Sequence, residues 1–594
     1  MTAKEKVAAL RRLMAARKVE VLYVPSSDPH QSEYVAPRWQ ARKWVSGFTG
    51  SAGTLVITAK RAGLWADGRY FIQAERELKG NGIDLFKIKE PGVPTPAEWI
   101  GATVKPGQAI AFDGRVVSME TRRDLEKAVA GKAIRFVLLE DLVGRVWADR
   151  PAMPASPAYD FPVSYAGKAC SKKLAEARSQ LKDKKADVLL LASLDDIAWL
   201  FNIRGNDIAN SPVVLSYALV GKTTATLFAD PAKFAPALRK RLAADGVRLR
   251  PYEAIEPALK ALPRQTAVCL NPRRVNCGLA GALPKTARRV EVTADITTEL
   301  KAIKNPVELK QLRKAALIDG VALAKFFAWL ERALVRGDRV TEHLAGERLA
   351  AFRREAPECK GDSFPAICGY GANAAMMHYS ALQESSAVLK PKGLFLVDSG
   401  GQYFEGTMDT TRTFAMGPVP AVARRHYTLV LKSLIALSQA RFLSGTTGTQ
   451  LDTLARAPLW AEGLNYRCGT GHGVGFYLNV HEGPQGFSPA WSPVPLKPGM
   501  VLTIEPGVYL QGHHGIRIEN MASVEPDQTT ESGEFYRFET FTVCPIDTAP
   551  LLAELLNPAE RDWLNRYHRI VWNKLSPLLG GQDRAWLKRK TTPV

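Results

Sequence analysis

Long apolar runs are missing from this sequence. No stretch approaches the roughly 18 uncharged apolar residues of a membrane-spanning helix, and the most apolar segments, such as residues 394–397, have the length of a strand. No membrane partner is therefore expected. The first 24 residues also lack the compact apolar segment and small-residue cleavage site of a secretory signal. They read instead as an amphipathic surface helix (Val7, Leu10, Leu13, Met14) leading into a strand at 19–24. Cysteine is scarce: seven among 594 residues, an odd number with no CxxC pair. That fits a reducing compartment better than a disulfide framework, so a cytoplasmic location is expected. Acids are in deficit as well, 59 against 80 basic residues for a net +21. The basic residues are dispersed, denser only at Arg239-Lys240-Arg241, Arg273-Arg274 and Arg288-Arg289, and no zinc-finger or RNA-binding motif accompanies them. A solvated basic surface is the expected reading, with no nucleic-acid partner.

What is present is an ordinary globular composition, 46% hydrophobic and 23% charged, in a chain too long for one core. Pro151, Pro154, Pro157 and Pro162 mark a first joint, because proline resists both helix and sheet. A second lies near Lys304, where Asn305-Pro306-Val307-Glu308 reads as an N-cap, a proline at the first helical position and an acid at the third. Leu309, Leu312, Ala316 and Leu323 then share one helical face. The segments before that helix resemble each other. Trp44-Val-Ser-Gly-Phe-Thr-Gly50 has the Trp-to-Gly interval of Trp199-Leu-Phe-Asn-Ile-Arg-Gly205, and each has an apolar strand before it and a strand ending in an acid after it. Two tandem α/β domains are expected, at 1–155 and 156–303. An α+β domain follows at 304–534, with an extension at 535–594 containing a strand at 538–543 and helices through Trp563 and Leu575.

The chemistry concentrates in the third segment, which holds six of the nine histidines between residues 378 and 514. Asp398 closes an apolar run, a Gly-rich turn follows, and Asp409 sits in a Thr-rich strand. For this pair alone, turn capping and an Asp409–Arg412 ion pair would be the ordinary explanation. His472 lies among glycines in Gly469-Thr-Gly-His-Gly-Val-Gly475, which lets another backbone or a ligand approach its ring. His481 follows nine residues later. Glu505 ends another apolar strand, and Glu519 sits on the same face of its strand as Arg517 by the period-two rule. Arg517 could therefore orient a metal-bound carboxylate. Buried acids need cations or hydrogen bonds. Four carboxylates and one imidazole suit two hard divalent ions that activate a water, Mn²⁺ first, with Co²⁺ or Zn²⁺ able to substitute.

With these motifs, and with Val24-Pro-Ser-Ser-Asp-Pro-His-Gln-Ser-Glu-Tyr34, Trp65-Ala-Asp-Gly-Arg-Tyr-Phe71 and Leu194-Asp-Asp-Ile-Ala-Trp-Leu-Phe-Asn-Ile-Arg-Gly205, the chain resembles the three-domain aminopeptidase P family nearly throughout. The resemblance implies two creatinase-type N-terminal domains, a pita-bread metallopeptidase domain, and release of an N-terminal residue preceding proline. It implies that Asp398 binds one metal, that Asp409 and Glu519 bridge both, and that His472 and Glu505 complete the second. It makes His378, in Gly371-Ala-Asn-Ala-Ala-Met-Met-His-Tyr379, a substrate contact that assists proton transfer, and His481 the support of the scissile carbonyl. A homodimer is implied too. A prolidase-type dipeptidase and a non-catalytic pita-bread binding protein are the alternatives. Two positions depart from the family pattern: Cys468 stands where a histidine is common, which predicts altered efficiency or redox sensitivity, and Glu405 stands for a turn aspartate.

Overall fold

The computed structural model describes residues 1–138 and 141–594. It comprises two compact units: Met1–Val163 with Lys168–Leu300, and Ser164–Gly167 with Lys301–Val594. Among the described residues no helix is long and apolar enough to cross a membrane.

The first unit contains the expected repeat, and its topology makes the likeness explicit. One six-stranded sheet runs in the order Asp84–Lys87, Ala62–Ala66, Thr54–Thr58, Val21–Pro25, Ala109–Phe112, Arg135–Leu138. The other runs Val247–Arg250, Ala225–Phe228, Tyr217–Gly221, Val188–Leu191, Ala267–Leu270, Arg288–Glu291. Both follow the same sequence of pairings: parallel, antiparallel, antiparallel, parallel, parallel. The two tryptophan markers occupy equivalent helices, Ala41–Ser46 and Leu194–Phe201, each between the first and second strand of its sheet. In the first strand Leu22 and Val24 face one core cluster while Val21 and Tyr23 face another, so both faces are buried and the run is uniformly apolar. The first helix is Ala3–Ala16, closed by a Thr2–Glu5 capping box and burying Val7, Leu10 and Met14.

The second unit opens on the helix Pro306–Arg336, with Asn305 and Glu308 forming the capping box and Gly337 ending it in the left-handed conformation. Leu312, Ala316 and Leu323 are buried; Leu309 is only half-buried, because Glu308 takes the inward place in that turn. An antiparallel sheet follows the order Phe442–Leu443, Gly533–Thr540, Asn520–Thr530, Val501–Ile504, Gly471–Gly473, Glu482–Phe487. Beside it are the three-stranded sheet Ile367–Tyr370, Leu394–Ser399, Thr410–Ala415 and the hairpin Gly507–Leu510 with His514–Arg517. The strand expected at 538–543 is Gly533–Thr540: it pairs with Asn520–Thr530 across a tight turn and leaves the ladder before the buried residues 541–544. The helices Pro558–Leu575 and Gly581–Lys590 end the chain.

Candidate metal centre

The Leu394–Ser399 and Thr410–Ala415 strands place Asp398 opposite Thr411. The turn between them needs glycine: a Cβ on Gly400 would lie 1.7 Å from the Met408 carbonyl oxygen. Asp409 sits just before the second strand, 4% exposed. His472 is on the short strand Gly471–Gly473, pressed against its neighbour so closely that a Cβ on Gly471 would lie 1.9 Å from the Thr503 carbonyl oxygen. Its Nδ1 is 2.9 Å from the Gly473 carbonyl, which turns Nε2 toward the acids, 3.4 Å from Asp409 Oδ2 and 3.5 Å from Glu505 Oε1. Glu505 follows the strand Val501–Ile504 directly, and its N–H donates to the Thr470 carbonyl at 2.7 Å.

Glu519 does not continue the strand of Arg517. The ladder ends at Arg517 and a new one begins at Asn520. Both side chains nevertheless reach the same hydroxyl: Thr411 Oγ1 donates to Glu519 Oε2 at 2.7 Å and accepts from Arg517 Nε at 3.1 Å. Arg517 also holds Asp398 Oδ2 at 2.5 Å and the Tyr509 hydroxyl at 2.7 Å. Arg412 takes no part. It points away from Asp409 to the carbonyls of Pro545, Cys544 and Glu519 and to Tyr567, which removes the ion pair offered as the ordinary explanation.

Asp409, His472 and Glu519 present ligand atoms within 4.8 Å of one another, the one such group among the described residues. Asp398 joins them through Arg517 and Glu505 through His472. The electrostatics are those of a site built for cations. Burial pushes Asp398 above the usual carboxylate range, with Arg517 opposing and Asp409 adding to the rise. Burial likewise raises Glu505 and, much further, Glu519, where Asp409 and Asp398 add repulsion. Burial disfavours charge on His472, but the hydrogen bond its ring donates to Asp409 and the charge of Glu505 lift it to about 9. Asp398 Oδ1 is buried with no hydrogen-bond partner among the described residues. Buried acids that repel one another, with an oxygen left unpaired, favour added positive charge, so these donors fit divalent ions.

His481 borders the cluster. The His481 ring stands edge-on to His472 with centroids 4.3 Å apart. The next residue, Glu482, is buried between two lysines: it pairs with Lys304 Nζ and lies 3.4 Å from Lys301 Nζ, all three side chains at most 2% exposed. Half-buried His378 follows Met377, whose carbonyl accepts from Arg517 Nη2 at 3.3 Å. Thr411 and the two lysines were not singled out in the sequence; a threonine-rich strand is the faint signal for the first, and nothing local marks the others.

Residues 310–526 match the profile of metallopeptidase family M24 and 534–594 that of its C-terminal region, while 6–146 and 149–308 match two profiles of the creatinase/prolidase N-terminal domain. A probable Xaa-Pro aminopeptidase P of Paracoccidioides brasiliensis is 41% identical over 613 residues, covering 99% of both chains. Its counterpart in Aspergillus niger is 40% identical over 608 residues, covering 99% of this chain and 98% of its own. This chain belongs to the aminopeptidase P family of M24 metallopeptidases. A solved X-prolyl aminopeptidase of Caenorhabditis elegans, described as a cytosolic enzyme with a di-nuclear active site, matches with a TM-score of 0.95 at 34% identity, with full coverage of both chains. Against the aminopeptidase P pattern, Cys468 is half-buried, and burial and Glu505 push its thiol up to about 12. A higher thiol pKa lowers the thiolate fraction on which oxidation depends. Glu405 is buried and paired with Lys314 at 2.7 Å, so the second departure from the aminopeptidase P pattern is tied to the Pro306–Arg336 helix.

Proposed function

We propose that this chain is a metal-dependent aminopeptidase releasing the N-terminal residue from peptides with proline in second position. The observation that carries the reading is a cluster of four carboxylates, three of them buried and Glu505 half-buried, with an orphaned oxygen, in a chain related along its whole length to Xaa-Pro aminopeptidases P. Asp398, Asp409, His472, Glu505 and Glu519 would hold two divalent ions. Four carboxylates and one imidazole favour Mn²⁺, with Co²⁺ or Zn²⁺ as substitutes. Bound there, the ions would acidify a water and polarise the scissile carbonyl. Arg517 fixes Asp398 and offsets its charge. His378 donates a proton to the departing proline nitrogen. His481 donates a hydrogen bond to the carbonyl oxygen as that oxygen gains charge.

The domain boundaries belong to the same proposal: two creatinase-type domains at 1–155 and 156–303, the catalytic domain at 304–534 and its extension at 535–594. The chain acts in the cytoplasm as a homodimer. The cytosolic description of the nematode neighbour supports the location, and sedimentation of the purified chain tests the dimer. Activity is tested by hydrolysis of Xaa-Pro-Xaa and Xaa-Ala-Xaa peptides with Mn²⁺ added and then chelated. Cleavage confined to the proline peptide and lost on chelation is expected; equal cleavage of both overturns the specificity. Preference for free Xaa-Pro over Xaa-Pro-Pro would make the enzyme a prolidase instead.

A further inference from the structure

A second buried carboxylate lies outside the acid cluster and is tied to the segment that carries His378. Glu342 is the first residue of the helix Glu342–Arg354 and is 0% exposed. Every side-chain hydrogen bond it makes is accepted, none donated. Its Oε1 accepts from the Tyr370 N–H at 2.6 Å and from Asn373 Nδ2 at 3.1 Å. Its Oε2 accepts from Asn373 Nδ2 at 3.1 Å, the Tyr379 hydroxyl at 2.8 Å and the Ala387 N–H at 2.7 Å. The main chain reinforces this pairing, since the Glu342 N–H donates to the Ala387 carbonyl at 3.0 Å and Thr341 bridges Val388. One carboxylate thus gathers four residues spread over 370–387.

His378 lies in the middle of that segment and is anchored from both sides. The carbonyl of Met377 before it accepts from Arg517, and the hydroxyl of Tyr379 after it donates to Glu342. Arg517 belongs to the acid cluster and Glu342 does not, so the position of His378 relative to the cluster depends on both holds. A carboxylate suits this task because it presents acceptors in several directions and its charge strengthens each bond.

We propose that Glu342 is a positioning residue for His378, setting the reach of that imidazole toward the substrate without touching the substrate itself. The proposal rests on the reading of His378 as the proton donor. Glu342→Gln keeps the size of the side chain but turns an amide nitrogen toward groups that all donate. Tyr379→Phe removes one of the five contacts and leaves the core intact.

The test is a set of double-mutant cycles on the metal-loaded full chain, reading kcat and KM for an Xaa-Pro-Xaa peptide. Glu342→Gln and Tyr379→Phe are each expected to lower kcat about ten- to a hundred-fold, the scale on which a small misplacement of a reacting group acts, with KM little changed. In a His378→Ala background each should cost less than about twofold, because the residue they position is gone. If His378→Ala is itself impaired but the losses multiply, Glu342 acts elsewhere and the proposal falls alone. Unchanged kcat in both variants also overturns it. If His378→Ala retains full kcat, the role of His378 falls and the proposal with it. Should Glu342→Gln fail to fold, Tyr379→Phe in the two backgrounds decides the question by the same criteria.

Discussion

Replacing Arg517 with methionine should destabilise the chelated protein far more than the metal-loaded one. Arg517 is 2% exposed and holds Asp398, the Tyr509 and Thr411 hydroxyls and the Met377 carbonyl. Methionine fills much of the same volume with nothing to donate. Asp398 would then have neither oxygen satisfied, since its Oδ1 already lacks a partner. Removing one member of a buried ion pair costs roughly 3–5 kcal/mol. At about 2–4 °C per kcal/mol, the scale for large domains, that is a fall in melting temperature of roughly 6–20 °C. Bound divalent ions supply the missing positive charge, so with Mn²⁺ the deficit should shrink, and the variant should gain more stability from Mn²⁺ than the parent does. Thermal unfolding of both proteins at pH 8, with chelator and with excess Mn²⁺, measures the two deficits. Equal deficits under both conditions, or none under chelation, would refute the argument that guanidinium and metal compensate the same carboxylate.

His568 is fully buried, and burial and the nearby Arg412 lower its ring to about 4 from an ordinary 6.5. Between those values the unfolded chain binds a proton that the native ring refuses, so this stabilising contribution is complete above pH 6.5 and falls with pH at about 1.4 kcal/mol per unit. His568→Gln, which can still accept the Ile546 N–H, should flatten the pH dependence of urea unfolding between pH 6 and 4.5 by about that much; an unchanged slope refutes it. Glu482→Gln should cost roughly 3–5 kcal/mol by leaving two buried ammonium groups without their counter-charge, and a urea midpoint equal to that of the parent would show that they are solvated. Cys468→His should change kcat/KM for an Xaa-Pro-Xaa peptide, and identical kinetics would remove Cys468 from any functional account.

What could be read from the sequence was local chemistry. The Asn305–Glu308 capping box lies within four residues, and Asp398 and Glu505 announce themselves as acids closing apolar strands. The repeat was legible because its strands are apolar throughout and its tryptophan markers keep their place between the first two strands. Arg412 misled because sequence neighbours tempt pairing, whereas a strand sends it to the face opposite Thr411. Glu342 and Glu482 could not be read at all. Their partners lie from 28 to 181 residues away, and no periodicity encodes a pairing that only the folded chain creates.

The lysine pair on Glu482 bears on where the catalytic unit can be cut. The helix cap at Asn305 looks like a natural starting point, and the cap itself depends on Asn305 and Glu308 alone. A truncation beginning there would discard Lys301 and Lys304, exposing a buried glutamate beside His481 to its own uncompensated charge. It would also discard residues 164–167, whose Ala166 carbonyl accepts from Asn305 Nδ2 at 2.9 Å. The hydrolase portion is thus stitched from two separate stretches of chain, and a fragment made by following secondary structure alone would be missing counter-ions for its own interior.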